Sequence, residues 1–216
     1  IKDFDPVLNK KHLLECMKWY LSSSDSISEK DDVADLFHWL NIKEKDGLRN
    51  DRILVESLYL LCNLDDVHPM LRYLKLKTKF KSSPRLLLAY NIAIANLKCN
   101  FITMCKLSKQ LCPLAHCAFS LYLPILQRRA LQVMSHAYNS KSLTVPVPVL
   151  RQWLRYENDA ITIAACTHYG LQAQSNAIRL CKADFKEDVA ILPPKKLLLH
   201  DEKLDLTANH VFTYKT

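Results

Sequence analysis

Glycine is nearly absent from this chain, which has only two among its 216 residues, at Gly47 and Gly170. A P-loop or a dinucleotide-binding fingerprint requires several glycines, because the backbone must turn tightly and approach the phosphates closely. Both kinds of nucleotide site are therefore excluded. Stacks of glycine-rich β-hairpins are excluded for the same reason, so the composition favours a mainly helical protein.

Long apolar runs are also missing, since no stretch approaches the roughly 18 consecutive apolar residues that a membrane-spanning helix needs. We therefore predict that the chain does not insert into a membrane. Apolar residues nevertheless make up 49% of the sequence and charged residues 24%. These proportions are typical of a globular protein with a hydrophobic core.

Paired cysteine spacing is a third absence. The eight cysteines lie mostly inside apolar stretches, which indicates free thiols in a reducing compartment. Cys105, Cys112, His116 and Cys117 are residue types that bind zinc, but a structural zinc site usually has two close pairs separated by a loop. Because this segment has the pattern of a buried helix, we predict no metal and no other cofactor.

Patterns typical of a catalytic centre are missing as well. Cys166 and His168 are two residues apart, a spacing that directs two side chains of one helix in different directions. The sequence has no strand–glycine–helix junction that would present a nucleophile. We therefore predict that the protein is not an enzyme.

Acidic residues are missing from the middle of the chain. Residues 67–156 contain 14 Lys or Arg and no Asp or Glu, whereas residues 1–66 carry a net charge of −5 and residues 157–216 a net charge of −1. The field of such a segment attracts nucleic acid or an acidic protein. Internal pairing with the acidic N-terminal third is the alternative, but it would neutralise only about five of these cations. We therefore favour an external anionic partner.

Apolar residues at helical spacing predict helices over 7–20, 33–40 and 51–63, and the polar run at 22–32 predicts a mobile, turn-forming connection. Prolines and short polar corners then indicate where five further helices begin. These helices are predicted over 69–80, 84–98, 101–111, 113–122 and 124–138. A run of short antiparallel helices indicates a stack of helical hairpins.

The pattern changes after residue 138. A β-favouring stretch at 143–145 precedes two helices, over 148–156 and 158–170, the second with Asn158 as its N-cap and Gly170 as its C-terminal cap. A strand over 177–185, a charged turn and a proline-containing segment with a final strand within 189–200 follow. With the preceding helix, this is the element order of a winged helix.

The predicted fold is therefore mainly α. It consists of a helical-hairpin stack (TPR- or PCI-like) followed by a C-terminal winged helix with a small β-sheet. The predicted boundaries are 1–122 for the stack, 123–205 for the winged-helix subdomain and 206–216 for a C-terminal tail.

Several segments between about 56 and 200 carry a family resemblance. They include Pro84 with the alanine-containing helix after it, Asn100-Phe101-Ile102, the block CPLAHCAFSLYLPILQRRALQVMSHAY at 112–138, the helix Val149–Leu154, and Thr167-His168-Tyr169-Gly170-Leu171. In these residues the chain resembles the Sac-three/GANP family. The longest block is fairly specific, whereas the N-terminal 55 residues match only in helical character.

The resemblance implies a non-enzymatic scaffold with a PCI-like domain. It implies two protein partners, a PCI-domain protein and a small acidic subunit of the Sem/DSS type, with a basic winged-helix platform for nucleic acid. The best-known branch is the core of the TREX-two mRNA export complex, which implies the nucleus and the nuclear pore. Scaffolds of other PCI complexes, in centrosomal or splicing-linked branches, stay open.

Basic side chains around the predicted winged helix are the expected contacts with RNA or DNA. Arg151 and Arg155 are one helical turn apart on what we expect to be an outer face, suited to adjacent phosphates. Helix 158–170 contains no Lys or Arg, the residues that usually recognise guanine, so we expect largely sequence-tolerant binding. A sequence-specific winged-helix transcription regulator is the alternative. The predicted nucleic-acid-binding residues are Arg128, Arg129, Arg151, Arg155, Lys182, Lys186, Lys195 and Lys196.

Two further groups are predicted to contact protein partners. The basic stretch 72–81 would form an exposed ridge for an acidic subunit or a nucleic-acid strand. Apolar residues on the winged-helix side and in the tail would form an interface with a neighbouring chain. The predicted partner-binding residues are Arg72, Lys75, Lys79, Trp153, Val211, Phe212 and Tyr214.

Overall fold

A computed structural model of the chain describes residues 6–34, 42–140 and 142–193, with side chains for 8–25, 51–140 and 142–193. The chain divides into two compact units, Ile1–Tyr90 and Asn91–Thr216, called the N-terminal unit and the C-terminal unit below. The predicted site residues Lys195, Lys196, Val211, Phe212 and Tyr214 lie outside the described residues.

In the described part of the N-terminal unit, all regular elements are helices. Its helices are α1 (Pro6–Ala34), α2 (Ile42–Cys62), α3 (His68–Lys75), α4 (Thr78–Lys81) and the start of α5 (Pro84–Leu97). The helix predicted over 69–80 is in fact two helices, because the backbone is extended at Leu76 and Lys77. Most of the helix predicted over 33–40 lies outside the described residues.

The polar run at 22–32 was expected to be a turn, and that expectation is wrong because α1 continues through it. Ser22 and Ser24 remain in the helix by donating their hydroxyl protons to carbonyl oxygens four residues earlier, at 2.9 and 2.8 Å. Polar side chains of this kind can favour turns or bond back to the helix. In α1 both serines bond back to the helix. The core of the unit includes the fully buried Leu21, Leu61 and Leu86.

The C-terminal unit begins with helices and ends with a small sheet. Its elements after α5 are α6 (Phe101–Leu107), a short 3-10 helix (Ser108–Gln110), α7 (Pro113–Tyr138), β1 (Thr144–Pro146), α8 (Val147–Leu154), α9 (Asp159–His168), β2 (Gln172–Gln174) and β3 (Ala177–Arg179). The predicted corner at Asn100 caps α6, since its side chain accepts the Thr103 N–H at 3.1 Å.

Two predicted helices, over 113–122 and 124–138, are a single helix, α7, with Pro124 inside it. A proline within a helix removes one backbone hydrogen bond and clashes with the preceding turn. The burial of Leu123, Pro124 and Leu126 favours continuation of the helix despite this cost. Helix α7 is therefore continuous across residues 122–124, where the sequence predicted a break between two helices.

The sheet is antiparallel, with strand order β1-β3-β2 and with Ile178 of β3 opposite both Val145 and Ala173. Ser175 and Asn176 join β2 to β3 and both have positive φ, 47° and 61°, as a two-residue hairpin turn requires. The strand predicted over 177–185 is shorter than expected, and β2 was not predicted. Residues 189–193 are not a strand, and the rest of the strand predicted within 189–200 lies outside the described residues.

Both predicted caps of α9 are confirmed. The Asn158 side chain accepts the Ile161 N–H at 2.8 Å, and Gly170 has φ +86° just after the helix ends. A Cβ at Gly170 would lie 2.3 Å from the Asp184 carbonyl oxygen, so this position requires glycine for both its φ and its space. Cys166, Tyr169 and other buried residues anchor α9 in the core.

Candidate nucleic-acid and partner interface

The two arginines of α7 point to different partners. Arg128 donates from Nη2 to the Glu187 carbonyl oxygen, and its Nε is buried without a partner among the described residues. Arg129 is exposed, and its Nη1 donates to the Tyr122 hydroxyl at 2.7 Å. Arg129 is therefore the more accessible of the two for an external anion.

Arg151 and Arg155 do not share the outer face on which we expected them. Arg151 lies on α8, 43% exposed, with its Nη1 3.2 Å from Oδ1 of Asp159. Helix α8 ends at Leu154, and Arg155 follows in the left-handed conformation, with φ 58°. Because Arg155 lies just outside the helix, its half-buried side chain does not continue the helical spacing from Arg151.

The Arg155 guanidinium is held by two neutral groups. Its Nη1 donates to the Ser108 hydroxyl and to Nε2 of His116, each at 2.7 Å. Since a guanidinium only donates, the imidazole nitrogen is the acceptor. Burial lowers the pKa of Arg155, and nearby Cys105 opposes this only in part.

The lysines that follow the sheet are solvent-facing. Lys182 and Lys186 are exposed and lie on either side of the turn near Asp184. Their backbone N–H groups are fixed, Lys182 to the Asn139 side-chain oxygen at 3.0 Å and Lys186 to the Tyr169 carbonyl at 2.9 Å. Both side chains are thus accessible on a fixed backbone.

Helix α9 offers few groups for reading bases. Thr162 is fully buried and donates to the Asn158 carbonyl oxygen at 2.8 Å. Thr167 and His168 are exposed, but His168 Nε2 lies 2.9 Å from the Ala190 carbonyl oxygen and helps to hold the following segment. The helix therefore presents no cation for base recognition.

The basic stretch 72–81 splits into an internal arginine and exposed lysines. Arg72 pairs with Glu56 through two hydrogen bonds, at 2.9 and 3.1 Å, and with Asp25 at 2.9 Å. Burial lowers the pKa of Arg72, but Glu56 and Asp25 together more than compensate and leave it raised. Lys75 and Lys79 remain exposed.

This ion-pair cluster was not foreseen. Glu56 is only 4% exposed, and Arg52, 8% exposed, lies 3.8 Å from it and donates to Asp25 as well. The Arg52 guanidinium also stacks 4.4 Å from the centre of the Phe80 ring. The cluster ties α1, α2 and α3 together within the N-terminal unit, so the alternative of internal pairing applies to Arg72.

Trp153 lines an apolar groove of about 300 Å³ in the C-terminal unit. Ile102 and Tyr138 expose 46% and 44% of their surface there. Lys98 is the charged residue among the described lining. An apolar surface with a basic edge is suited to a protein partner.

A second surface depression, of about 390 Å³, is basic. It is lined by Arg151, Arg155 and Lys109, together with Gln152 and other residues, and none of the described lining residues is acidic. Lys109 was not among the predicted contacts. Its place in the acid-free segment was visible in the sequence, but its proximity to α8 was not.

Within the described part of the chain, no cluster of three or more His, Cys, Asp or Glu side chains is arranged to bind a metal ion. The described helices also include none that combines the length and the apolarity needed to cross a membrane.

The sequence was compared with models of known protein families, and one family matches. The model of the SAC3/GANP family matches residues 1–175, most of the sequence. No curated protein matches the chain.

Proposed function

Because the chain belongs to the SAC3/GANP family, we propose that it is a non-enzymatic scaffold subunit of a nuclear mRNA export complex that pairs with a PCI-domain protein and binds nucleic acid. The family match over residues 1–175 is the observation that carries this proposal. Membership of the family supports a role in mRNA export scaffolding, protein partners and a nuclear location. The TREX-two complex and the nuclear pore are the finer assignment that we propose.

The nucleic-acid part of the proposal rests on charge and accessibility. Element order from α7 to β3 is compatible with a winged helix, and we propose that this region presents the nucleic-acid surface. Exposed cations there include Arg129, Lys182 and Lys186, which are suited to phosphate contacts. Because α9 offers no Lys or Arg, sequence-tolerant binding is better supported than a sequence-specific transcription regulator.

The partner part of the proposal rests on the groove around Trp153. We assign this groove to the PCI-domain partner, because it combines a half-buried tryptophan with the exposed Ile102 and Tyr138. Lys75 and Lys79 on the N-terminal unit are the exposed cations that we assign to the small acidic subunit.

A pull-down from nuclear extract tests the partner assignment. The 216-residue chain should recover a PCI-domain protein together with a small acidic subunit. Ile102→Glu should abolish recovery of the PCI protein, whereas the control Leu121→Glu, also about half exposed but outside the groove, should not. Recovery of neither protein by the unmodified chain would contradict the scaffold function.

Salt-dependent binding to single-stranded RNA and duplex DNA tests the nucleic-acid assignment. Replacing Lys182 and Lys186 by Gln should lower the slope of log affinity against log salt by about two units. The control Lys106→Gln removes an exposed cation on α6 and should change it less. Tight binding to one preferred DNA site would instead favour the transcription regulator.

A further inference from the structure

Arg155 combines three features that ordinary surface arginines lack. It is a non-glycine residue with φ 58°, a conformation that costs free energy and often occurs at functional sites. Its guanidinium is half-buried, and burial lowers its pKa. Among the described residues no carboxylate lies within ion-pairing distance of it.

Within the described part of the chain, the hydrogen bonds of Arg155 involve one of its three nitrogens, Nη1. Nη1 donates both its protons, one to Ser108 and one to His116. The His116 ring is itself oriented, because Nδ1 lies 3.3 Å from the Ser120 hydroxyl, which donates its own proton to the His116 carbonyl oxygen. Ser108 and His116 therefore fix the guanidinium plane from one side.

The opposite edge of the guanidinium consists of Nε and Nη2. Nε and Nη2 of Arg155 have no hydrogen-bond partner in the part of the chain that the structure describes. These two nitrogens form the fork that binds two oxygens of a phosphate or carboxylate at once. A fork that is already oriented loses less rotamer entropy when it binds.

Arg155 lines two cavities. The smaller, of about 240 Å³, has Glu157 in its lining, whereas the described charged residues that line the larger are all basic. Arg155 lines the 390 Å³ depression together with Lys109 and Arg151. Arg151 has Asp159 as a partner, but both side chains of that pair are about 40% exposed, so an entering anion can compete for Arg151. The segment from 67 to 156 contains no carboxylate, and Glu157 and Asp159 follow it directly in the sequence.

We propose that Arg155, Lys109 and Arg151 form a binding site for one phosphate group of a nucleic-acid backbone, with His116 and Ser108 as positioning residues for Arg155. This inference rests on the proposed nucleic-acid function and deepens it. Arg155 binds two phosphate oxygens through Nε and Nη2, while Lys109 contributes a single charged donor. A nucleic-acid phosphate fits better than an acidic side chain because three cations converge on one depression.

Binding of a fluorescent single-stranded oligonucleotide to the full 216-residue chain tests the site. Arg155→Lys keeps the charge but removes the fork, and it should weaken binding about tenfold. Lys109→Met should lower the salt slope by about one unit. The matched control Lys106→Met removes an exposed lysine one turn earlier that does not line the depression, and it should change the slope much less.

The positioning role has its own test. His116→Gln retains an acceptor near the position of Nε2 and should keep most of the affinity, whereas His116→Ala should resemble Arg155→Lys in binding. Circular dichroism melting of each variant separates loss of the site from loss of the fold. Equal binding by His116→Ala and the unmodified chain would overturn the positioning role.

Different failures have different meanings. If the oligonucleotide binds but Arg155→Lys changes its affinity no more than Lys106→Met does, the proposed site is wrong and the nucleic-acid function stands. If the oligonucleotide does not bind, the proposal that the site binds a nucleic-acid phosphate is wrong, and so is the proposed nucleic-acid function. Titration with inorganic phosphate, followed by NMR, then decides whether Arg155 binds an anion at all. A response that Arg155→Lys abolishes would point to a phosphorylated protein instead.

Discussion

Two arginines from the same acid-free segment have opposite surroundings in the two units. Arg72, in the N-terminal unit, has its guanidinium occupied by Glu56 and Asp25, and its pKa is raised. Arg155, in the C-terminal unit, hydrogen-bonds through Nη1 to the neutral Ser108 and His116 among the described residues, and its pKa is lowered.

The comparison shows that net charge along a sequence does not say which cations are available. Acidic residues on α1 and α2 neutralise Arg72, so it acts as an internal cross-link. Among the described residues of the C-terminal unit, no carboxylate pairs with Arg155, and its Nε and Nη2 keep unused donors. Buried charges are normally paired, so an incompletely paired guanidinium points to a function.

The largest expected effect is on the alkylation rate of Cys105, the thiol beside Arg155. Burial raises the pKa of Cys105 to about 12, more than Arg155 and Lys109 lower it. The thiolate fraction at pH 8 should therefore be about a thousandfold below that of an ordinary thiol. Iodoacetamide should modify Cys105 at least that much more slowly than the exposed Cys99, as measured by peptide mass spectrometry. Comparable rates would mean that Arg155 already has a thiolate partner.

The same burial predicts how stability depends on pH. An unfolded thiol ionises near pH 8.5, whereas Cys105 ionises only near 12. The stabilisation from keeping this thiol neutral is complete below about pH 8.5 and is lost as the pH rises towards 12.

Arg72→Met should destabilise the protein by about 3 kcal/mol, because among the described residues it leaves the buried Glu56 carboxylate with the more distant Arg52 as its one cationic partner. Urea unfolding followed by circular dichroism measures this change. Lys75→Met is the matched control on the same helix, and its exposed side chain should make less than about 0.5 kcal/mol difference.

A second variant checks the cause of that loss. Adding Glu56→Gln to Arg72→Met removes the buried charge and should recover at least half of the lost stability. No recovery would mean that Arg72 stabilises the unit by packing rather than by pairing.

Arg155→Met should cost less than Arg72→Met, about 1–2 kcal/mol, because two charge-assisted hydrogen bonds to neutral acceptors are lost but no buried carboxylate loses its partner. Thermal unfolding measures the difference from the unmodified chain. A loss as large as that for Arg72→Met would remove the contrast between the two arginines and would make Arg155 a structural residue.

The smallest effect on stability is expected at the exposed ion pair of Arg151 and Asp159. Asp159→Asn removes the partner of Arg151, and both side chains are about 40% exposed. The stability change should stay below about 0.5 kcal/mol, whereas affinity for the oligonucleotide should rise slightly because Arg151 is released. Weaker binding would contradict a role for Arg151 in contacting phosphate.

Local chemistry made part of this structure predictable. Asn158 and Gly170 were expected to cap α9 because their residue types suit those positions, and Pro84 was expected to open a helix, as it does in α5. The helical character, the family and a small C-terminal sheet were likewise expected. Short-range rules suffice where neighbouring residues determine the conformation.

Other features depend on distant residues and were missed. Pro124 lies within α7 because the buried face of the whole helix outweighs one lost hydrogen bond. Asp25 and Arg72 are far apart in sequence, so their pairing was invisible, and Asp25 helps to hold a segment that composition alone assigned to a turn. The inward direction of Arg155 follows from the single left-handed residue after α8.

The hairpin turn at Ser175 and Asn176 has a consequence for the unfolded chain. Glycine would adopt positive φ there more easily, but it would also add conformations that must be given up on folding. The folded-state penalty of a left-handed residue, about 1 kcal/mol, is thus partly offset by a smaller unfolded ensemble. A chain with two glycines starts from a restricted ensemble, and contacts elsewhere in the fold, rather than backbone freedom, determine its turns.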